Sequence, residues 1–178
     1  MNEISDATIL TMIKDPDTRD KGFLLLMDSY KKPIYWHIRR LVVSHEDAED
    51  ILQETFIQVY RFASFFKGES KIYTWLYRIA TNECSRHFRK NDNKMLVAEV
   101  ASNELSETDI ENSDVILLKF QQAIQQLPER QKIVFNLRYY DELSYEDIAQ
   151  ILNSSVGSLK TNYHYACEKI KKYLIDHA

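Results

Sequence analysis

The stretch FKGESKIYTWLYRIATNECSRHFRK, residues 66–90, gathers cations, flat rings and amides. Lys67, Lys71, Tyr73, Trp75, Tyr77, Arg78, Asn82, Arg86, Arg89 and Lys90 all fall within it. From Lys71 to Lys94 six Lys and Arg face only Glu83 and Asp92, so the stretch is locally basic. Cations neutralise phosphates, and rings stack on exposed bases for roughly 1–3 kcal/mol each, a mixture that suits single-stranded nucleic acid. Trp75 fits a helix core at least equally well, which leaves Tyr73 as the better stacking candidate.

A second constellation lies in LSYEDIAQILNSSVGSLKTNYHYACEKIKKYL, Leu143 to Leu174. Ser144 can cap a short helix whose Ile148, Ala149, Ile151 and Leu152 share an apolar face. Asn153 tolerates the left-handed backbone of a tight turn. Ser154 or Ser155 can then cap a longer helix, in which Leu159, Tyr163, Ala166, Ile170 and Leu174 form one stripe. At 100° per residue Gly157, Thr161, His164, Tyr165 and Glu168 point away from that stripe, with Ser158 and Asn162 flanking them. Glycine costs up to ~1 kcal/mol of helix propensity against alanine, so something external is expected to favour a missing side chain. Free N–H groups at a helix start bind phosphate, and Lys160 adds a cation. This is the layout by which a helix-turn-helix enters the major groove. A packed helical hairpin with a polar exterior and small capping residues is the alternative.

Asp47, Asp50 and Glu54 form a third set at three- and four-residue steps on one side of a helix. The helix macrodipole explains an acid at the start, Asp47, well and Glu54, two turns in, poorly. Cys84 and His87 stand one helical turn apart, as a metal-ligand pair could, and His37 and His45 lie elsewhere. No CxxC or HExxH completes a site, so a buried cysteine and surface histidines are the reading, and no metal or cofactor is expected. Two cysteines are too few for a disulfide framework and suit a reducing cytoplasm.

Helices must position these sets. Three Gly and three Pro in 178 residues are very few, and apolar residues recur at three and four, which predicts an all-α chain. Ile4, Ile9, Leu10 and Ile13 mark a first helix; Phe23, Leu24, Met27 and Tyr30 a second. Pro33 suits the first turn of another. Ser44 caps the helix carrying Ala48, Ile51, Leu52, Thr55, Phe56 and Val59. A further helix spans about Thr74 to Arg89. Pro128 opens a helix with Ile133, Val134, Leu137 and Tyr140 on one face, after one carrying Leu117, Phe120, Ile124 and Leu127.

The net charge of −4 is concentrated in residues 95–114, which hold six acids, no base, no Gly, no Pro and no aromatic. Residues 1–94 and 115–178 each carry a charge of +1, so a nucleic-acid role is open to both. The acidic stretch reads as a linker between two helical domains, 1–94 and 115–178. No apolar run approaches the roughly 18 residues of a membrane span, and the N-terminus lacks the layout of a secretion signal.

LPERQKIVFNLRYYDELSYEDIAQILNSSVGSLKTNYHYACEKIKKYL resembles region 4 of bacterial sigma factors of the extracytoplasmic-function family. DAEDILQETFIQVYR and FKGESKIYTWLYRIATNECSRHFRK resemble its region 2, in family order and across nearly the whole chain. The resemblance implies a non-enzymatic factor that binds the beta-prime and beta subunits of core RNA polymerase. It implies promoter DNA as the second partner and an anti-sigma factor as a third, without membrane insertion. Asp47, Asp50 and Glu54 would meet the beta-prime clamp helices. Lys67, Lys71, Tyr73, Arg78, Asn82, Arg86 and Arg89 would hold the opened minus-ten strand, with Asn82 near an extruded base. Ser155, Gly157, Ser158, Lys160, Thr161, Asn162 and Tyr165 would face the minus-thirty-five duplex. The linker would thread the polymerase cleft, or serve as a plain tether. Asn162 and Tyr165 occupy places where the family often carries Arg, which implies weaker phosphate anchoring and a different target. A stand-alone helix-turn-helix regulator would explain residues 115–178 but not the block around Trp75. A helical adaptor that binds only protein would make the basic block accidental.

Overall fold

A computed structural model describes residues 5–42, 44–92 and 112–177; Ile4 and most of the acidic stretch lie outside them. Eight α-helices and a single 3-10 turn make up the regular structure of the described residues, without strands. They are α1 (Asp6–Lys14), α2 (Arg19–Leu41), α3 (His45–Phe62), α4 (Ile72–Asp92), α5 (Asn112–Gln125), α6 (Glu129–Tyr139), α7 (Tyr145–Leu152) and α8 (Val156–Asp176).

Local chemistry sets most of the helix starts. Ser5, Ser44, Ser144 and Ser155 each accept a hydrogen bond from the backbone N–H three residues on, which satisfies one otherwise unpaired donor. Pro128 is the N-cap of α6, where its missing N–H costs nothing. Pro33 departs from the expectation: it lies inside α2 and starts no helix. A proline within a helix costs ~3 kcal/mol. Leu26, Ile34, His37, Ile38 and Leu41 bury one continuous face of α2 on both sides of it, and that burial outweighs the lost bond. Helix α4 is longer than expected at both ends, and α5 begins at Asn112, inside the stretch read as linker. Element ends are where periodicity speaks most weakly.

Helices α1 to α4 pack in sequence, α1 on α2, α2 on α3 and α3 on α4. Gly22 serves the first of these contacts, because a Cβ there would meet the Met12 Cβ at 2.8 Å and the Ile13 N at 2.9 Å. Helices α5, α6 and α8 enclose a second core of Ala123, Ile124, Leu127, Phe135, Ala166 and Ile170. The two halves also pack together, α7 against α4 and α6 against α2. Ile133, Val134, Leu137, Ile148, Ile151 and Leu159 therefore belong to the same core cluster as Leu76, Ala80 and Cys84.

Candidate nucleic-acid and polymerase interfaces

The turn between α7 and α8 has the anticipated geometry. Asn153 is left-handed at φ 47°, ψ 57°, and its N–H reaches the Ala149 carbonyl. The Ser154 N–H bonds the same carbonyl at 3.1 Å, which closes α7. The Ser155 hydroxyl then accepts from the Ser158 N–H at 3.2 Å and starts α8, so this serine acts first as a cap. Leu159, Ala166 and Ile170 bury the stripe of α8, with Tyr163 and Leu174 half-buried beside it.

The opposite face is open where it begins. Gly157, Ser158, Lys160 and Thr161 are exposed, and a Cβ built on Gly157 would have no neighbour within 4 Å. Nothing inside the protein demands glycine there. The Thr161 hydroxyl donates to the Gly157 carbonyl at 3.0 Å, and the Asn162 amide to the Ser158 carbonyl at 2.8 Å. Asn162 is half-buried and turned onto its own helix, whereas Tyr165 is 54% exposed. The Lys160 ammonium sits 5.7 Å from the Tyr145 ring centroid, which holds it beside the helix start.

On α4, Arg78, Asn82, Arg86 and Arg89 recur at steps of four, four and three and share one face. Asn82 and the preceding loop residue Lys67 are exposed, and Gly68 beside Lys67 is left-handed at φ 77°. Trp75 is half-buried, its ring 5.0 Å from that of Phe66, so the core reading of this side chain fits better. Lys71 donates to the Tyr73 hydroxyl at 3.3 Å, lies over its ring at 5.3 Å and stands 3.9 Å from an Asp147 oxygen. The Tyr73 hydroxyl and then the Asp147 charge hold the Lys71 ammonium above its ordinary range. Arg86 donates to both Glu83 oxygens at 2.9 and 3.0 Å, a pairing the sequence reading had not assigned. The Arg89 Nε donates to the Ser85 carbonyl at 3.2 Å, and Arg78 donates to the Gln150 carbonyl of α7 at 2.8 Å.

The acidic set divides. Asp50 and Glu54 are exposed on α3. Asp47 is half-buried, its backbone N–H bonds the Ser44 cap, and its carboxylate faces the His87 Nε2 across to α4 at 3.6 Å. Beside Asp50 runs a groove lined by Phe23, Met27, Phe56, Ile57 and Tyr60, which periodicity could not reveal because it forms between α2 and α3. Cys84 is fully buried, and burial pushes its thiol far above the ordinary range. Among the described residues no group of three or more His, Cys, Asp or Glu could hold a metal. Among them also, no helix is long and apolar enough to cross a membrane.

Sequence reasoning missed a buried polar cluster. His37 is 0% exposed and lies between the two halves. Its Nδ1 is 2.7 Å from an Asp141 oxygen and its Nε2 is 3.0 Å from the Thr81 hydroxyl. Arg40 reaches the other Asp141 oxygen at 3.1 Å. The Tyr77 ring packs on His37 at 4.9 Å, and burial first, then the Asp141 charge, pushes its hydroxyl far above the ordinary range.

Two family models match this arrangement. Residues 26–94 match Sigma-70 region 2, and residues 117–170 match Sigma-70, region 4. The chain is 34% identical over 187 residues to the RNA polymerase sigma-H factor of Pseudomonas aeruginosa, covering 98% of this chain and 96% of that protein. It is 37% identical over 168 residues to the ECF RNA polymerase sigma factor SigW of Bacillus subtilis, covering 87% and 90%. The chain belongs to the extracytoplasmic-function (ECF) family of RNA polymerase sigma factors. It is therefore a sigma factor that directs promoter recognition and has no catalytic activity of its own.

The fold is similar to that of CnrH, solved in complex with the cytosolic domain of CnrY. The TM-score is 0.73 at 16% identity, over 97% of this chain and 99% of that one. It is also similar to the sigma factor RpoE solved with the anti-sigma factor NepR from Bartonella quintana. There the TM-score is 0.69 at 22% identity, over 86% and 97%. At such identities the likeness speaks for the fold alone.

Proposed function

We propose that residues 1–94 bind core RNA polymerase and the opened minus-ten strand, that 95–114 connect, and that 115–178 read the minus-thirty-five duplex. One observation carries this reading: a cation and amide face on α4 and a capped, open helix start on α8 occur in one chain. The two family matches fall on those two elements in that order.

Asp50 and Glu54, exposed beside the apolar groove between α2 and α3, are the residues for the beta-prime clamp helices. Asp47 contributes to that surface mainly by ordering α3 and meeting His87. Lys67, Lys71, Tyr73, Arg78, Asn82, Arg86 and Arg89 hold the minus-ten strand, cations on phosphates and Tyr73 on a base. An exposed Asn82 amide can pair with a base edge. Gly157, Ser158, Lys160, Thr161 and Tyr165 meet the minus-thirty-five duplex at the α8 N-terminus, with Ser155 holding that end together and Asn162 at its flank. The beta subunit is the second polymerase contact. The factor works in the cytoplasm, where its polymerase is, and an anti-sigma protein is its natural antagonist.

Purified chain plus core polymerase should give promoter-specific transcripts that neither gives alone. Core binding without any transcript across a genome-wide promoter pool would overturn the proposal.

A further inference from the structure

The last turn of α3 is held by two residues of another helix. Arg19, the first residue of α2, donates a guanidinium N–H to the Tyr60 carbonyl at 2.7 Å. Carbonyls in a last helical turn lack the donors that a further turn would supply, and they form the negative end of the dipole, so a cation suits them. The same guanidinium covers the Tyr60 ring at 4.5 Å. Asp20 accepts from the Tyr60 hydroxyl at 2.8 Å, and this bond, before any other cause, lifts the hydroxyl above its ordinary range. Three contacts between two adjacent residues and one tyrosine make a clip. The Arg19 Nε is buried without a hydrogen-bond partner, so the guanidinium gives up one donor to reach the ring and the carbonyl.

What the clip holds lies just beyond it. Helix α3 ends at Phe62, and the 3-10 turn Ala63–Phe65 follows. Ala63 is buried, α1 packs on this turn, and the Phe66 N–H closes it on the Ala63 carbonyl at 3.2 Å. Helix α1 is itself tied down, since the Thr18 hydroxyl at the start of α2 donates to the Met12 carbonyl at 2.9 Å. Phe66 is buried, its ring against Trp75 of α4. Lys67, Gly68 and Glu69 then stand exposed as an arch, until the Lys71 carbonyl accepts the Trp75 N–H at 3.2 Å where α4 begins. The arch is therefore pinned on its α3 side by the clip, by α1 and by Phe66, and on its other side by the first turn of α4.

We infer that Arg19, with Asp20, is a positioning pair for minus-ten recognition. Arg19 is half-buried and acts through the loop, not on the strand. It fixes where α3 ends, and through the 3-10 turn it sets where the arch presents Lys67 and Lys71 beside the α4 face. A side chain carried on a loop reads a base only if the loop is held to within about 0.5 Å, which an unbraced arch is not. The identity of the ligand rests on the function proposed above; the clip itself does not.

Two readouts on the full chain test this. Hydrogen exchange reads the clip without DNA. In Arg19→Met, which keeps the apolar stem, amides of residues 63–71 should exchange roughly tenfold faster while those of α8 stay unchanged. Transcription with core polymerase reads recognition. The preference for a transcribed promoter over copies with single minus-ten substitutions should fall roughly fivefold at one position, about 1 kcal/mol. Preference at the minus-thirty-five element and affinity for core polymerase should stay as they were. Arg19→Lys keeps a cation for the carbonyl and the ring, and should restore most of the lost preference. Asp20→Ala, a milder change at an exposed residue, should move both readouts the same way to a smaller degree. Unchanged exchange of residues 63–71 in Arg19→Met and Asp20→Ala would overturn the clip. Faster exchange with minus-ten preference intact would overturn the positioning role, as would an equal loss at both promoter elements, the mark of general destabilisation. An unaltered chain indifferent to minus-ten substitutions would instead count against the proposed function, while the exchange rates still judge the clip.

Discussion

Gly157→Ala separates what the fold needs from what DNA needs. Gly157 lies in the first turn of α8 with ordinary helical backbone, and the position of a Cβ is open to solvent for 4 Å. Alanine there creates no clash and gains helix propensity, up to ~1 kcal/mol and about half that near a helix end. For a chain of this size that raises the melting temperature by roughly 1–4 °C. The same methyl would stand on the exposed face beside Ser158 and Thr161, where the proposed minus-thirty-five duplex would approach the helix start. Losing one close phosphate contact costs about 1.4 kcal/mol, or about tenfold in affinity. Thermal melting followed by circular dichroism and duplex binding by the assembled holoenzyme give the two numbers. They should move in opposite directions: a more stable protein with weaker minus-thirty-five binding. A lower melting temperature would mean that the fold requires this glycine. Unchanged duplex affinity in a stabilised protein would refute close DNA approach at this position.

The other expectations are simpler. Asp50→Ala combined with Glu54→Ala should weaken core polymerase binding while shifting stability by no more than about 0.5 kcal/mol, since both side chains are exposed; equal affinity in a pull-down titration would remove them from that interface. Lys160→Ala should lower the slope of log affinity against log salt by about 1, the share of one phosphate contact. An unaltered slope would leave its ammonium to Tyr145 alone. Asn82→Ala should relax preference at a single minus-ten position in a promoter selection, and an unchanged profile would reject base reading by this amide. Cys84, buried and with its thiol held far above the ordinary range, should resist thiol reagents in the native protein at pH 8 and react only on unfolding, at a rate set by that opening. Rapid native labelling at Cys84 would contradict the packing of α4.

Helix positions were legible because their causes are local. Ser44, Ser144 and Ser155 cap through a bond to the third residue on, and Asn153 turns left-handed because its short side chain tolerates that backbone. The stripe of Leu159, Ala166 and Ile170 follows from the helical repeat. Pro33 was misread for the opposite reason: only the buried face of a 23-residue helix, assembled against α1, α3 and α4, offsets its missing bond. The candidate sites divide in the same way. Residue type and spacing picked out Gly157 to Tyr165 and the α4 face, whose members are near neighbours along the chain. They could not find Arg86 paired to Glu83, because only side-chain rotamers decide between a partner one turn away and solvent.

By itself, then, the amino-acid order determined two helical units, their caps, their apolar stripes and the residue types offered to nucleic acid. Tertiary structure alone decided how the units meet. His37 and Asp141 are 104 residues apart, and no periodic pattern links them. Their partnership exists because burying Ile133, Val134, Leu137, Ile148 and Ile151 against the first four helices leaves a desolvated histidine that must find hydrogen-bond partners. Thr81 and Asp141 are the ones the packed chain supplies.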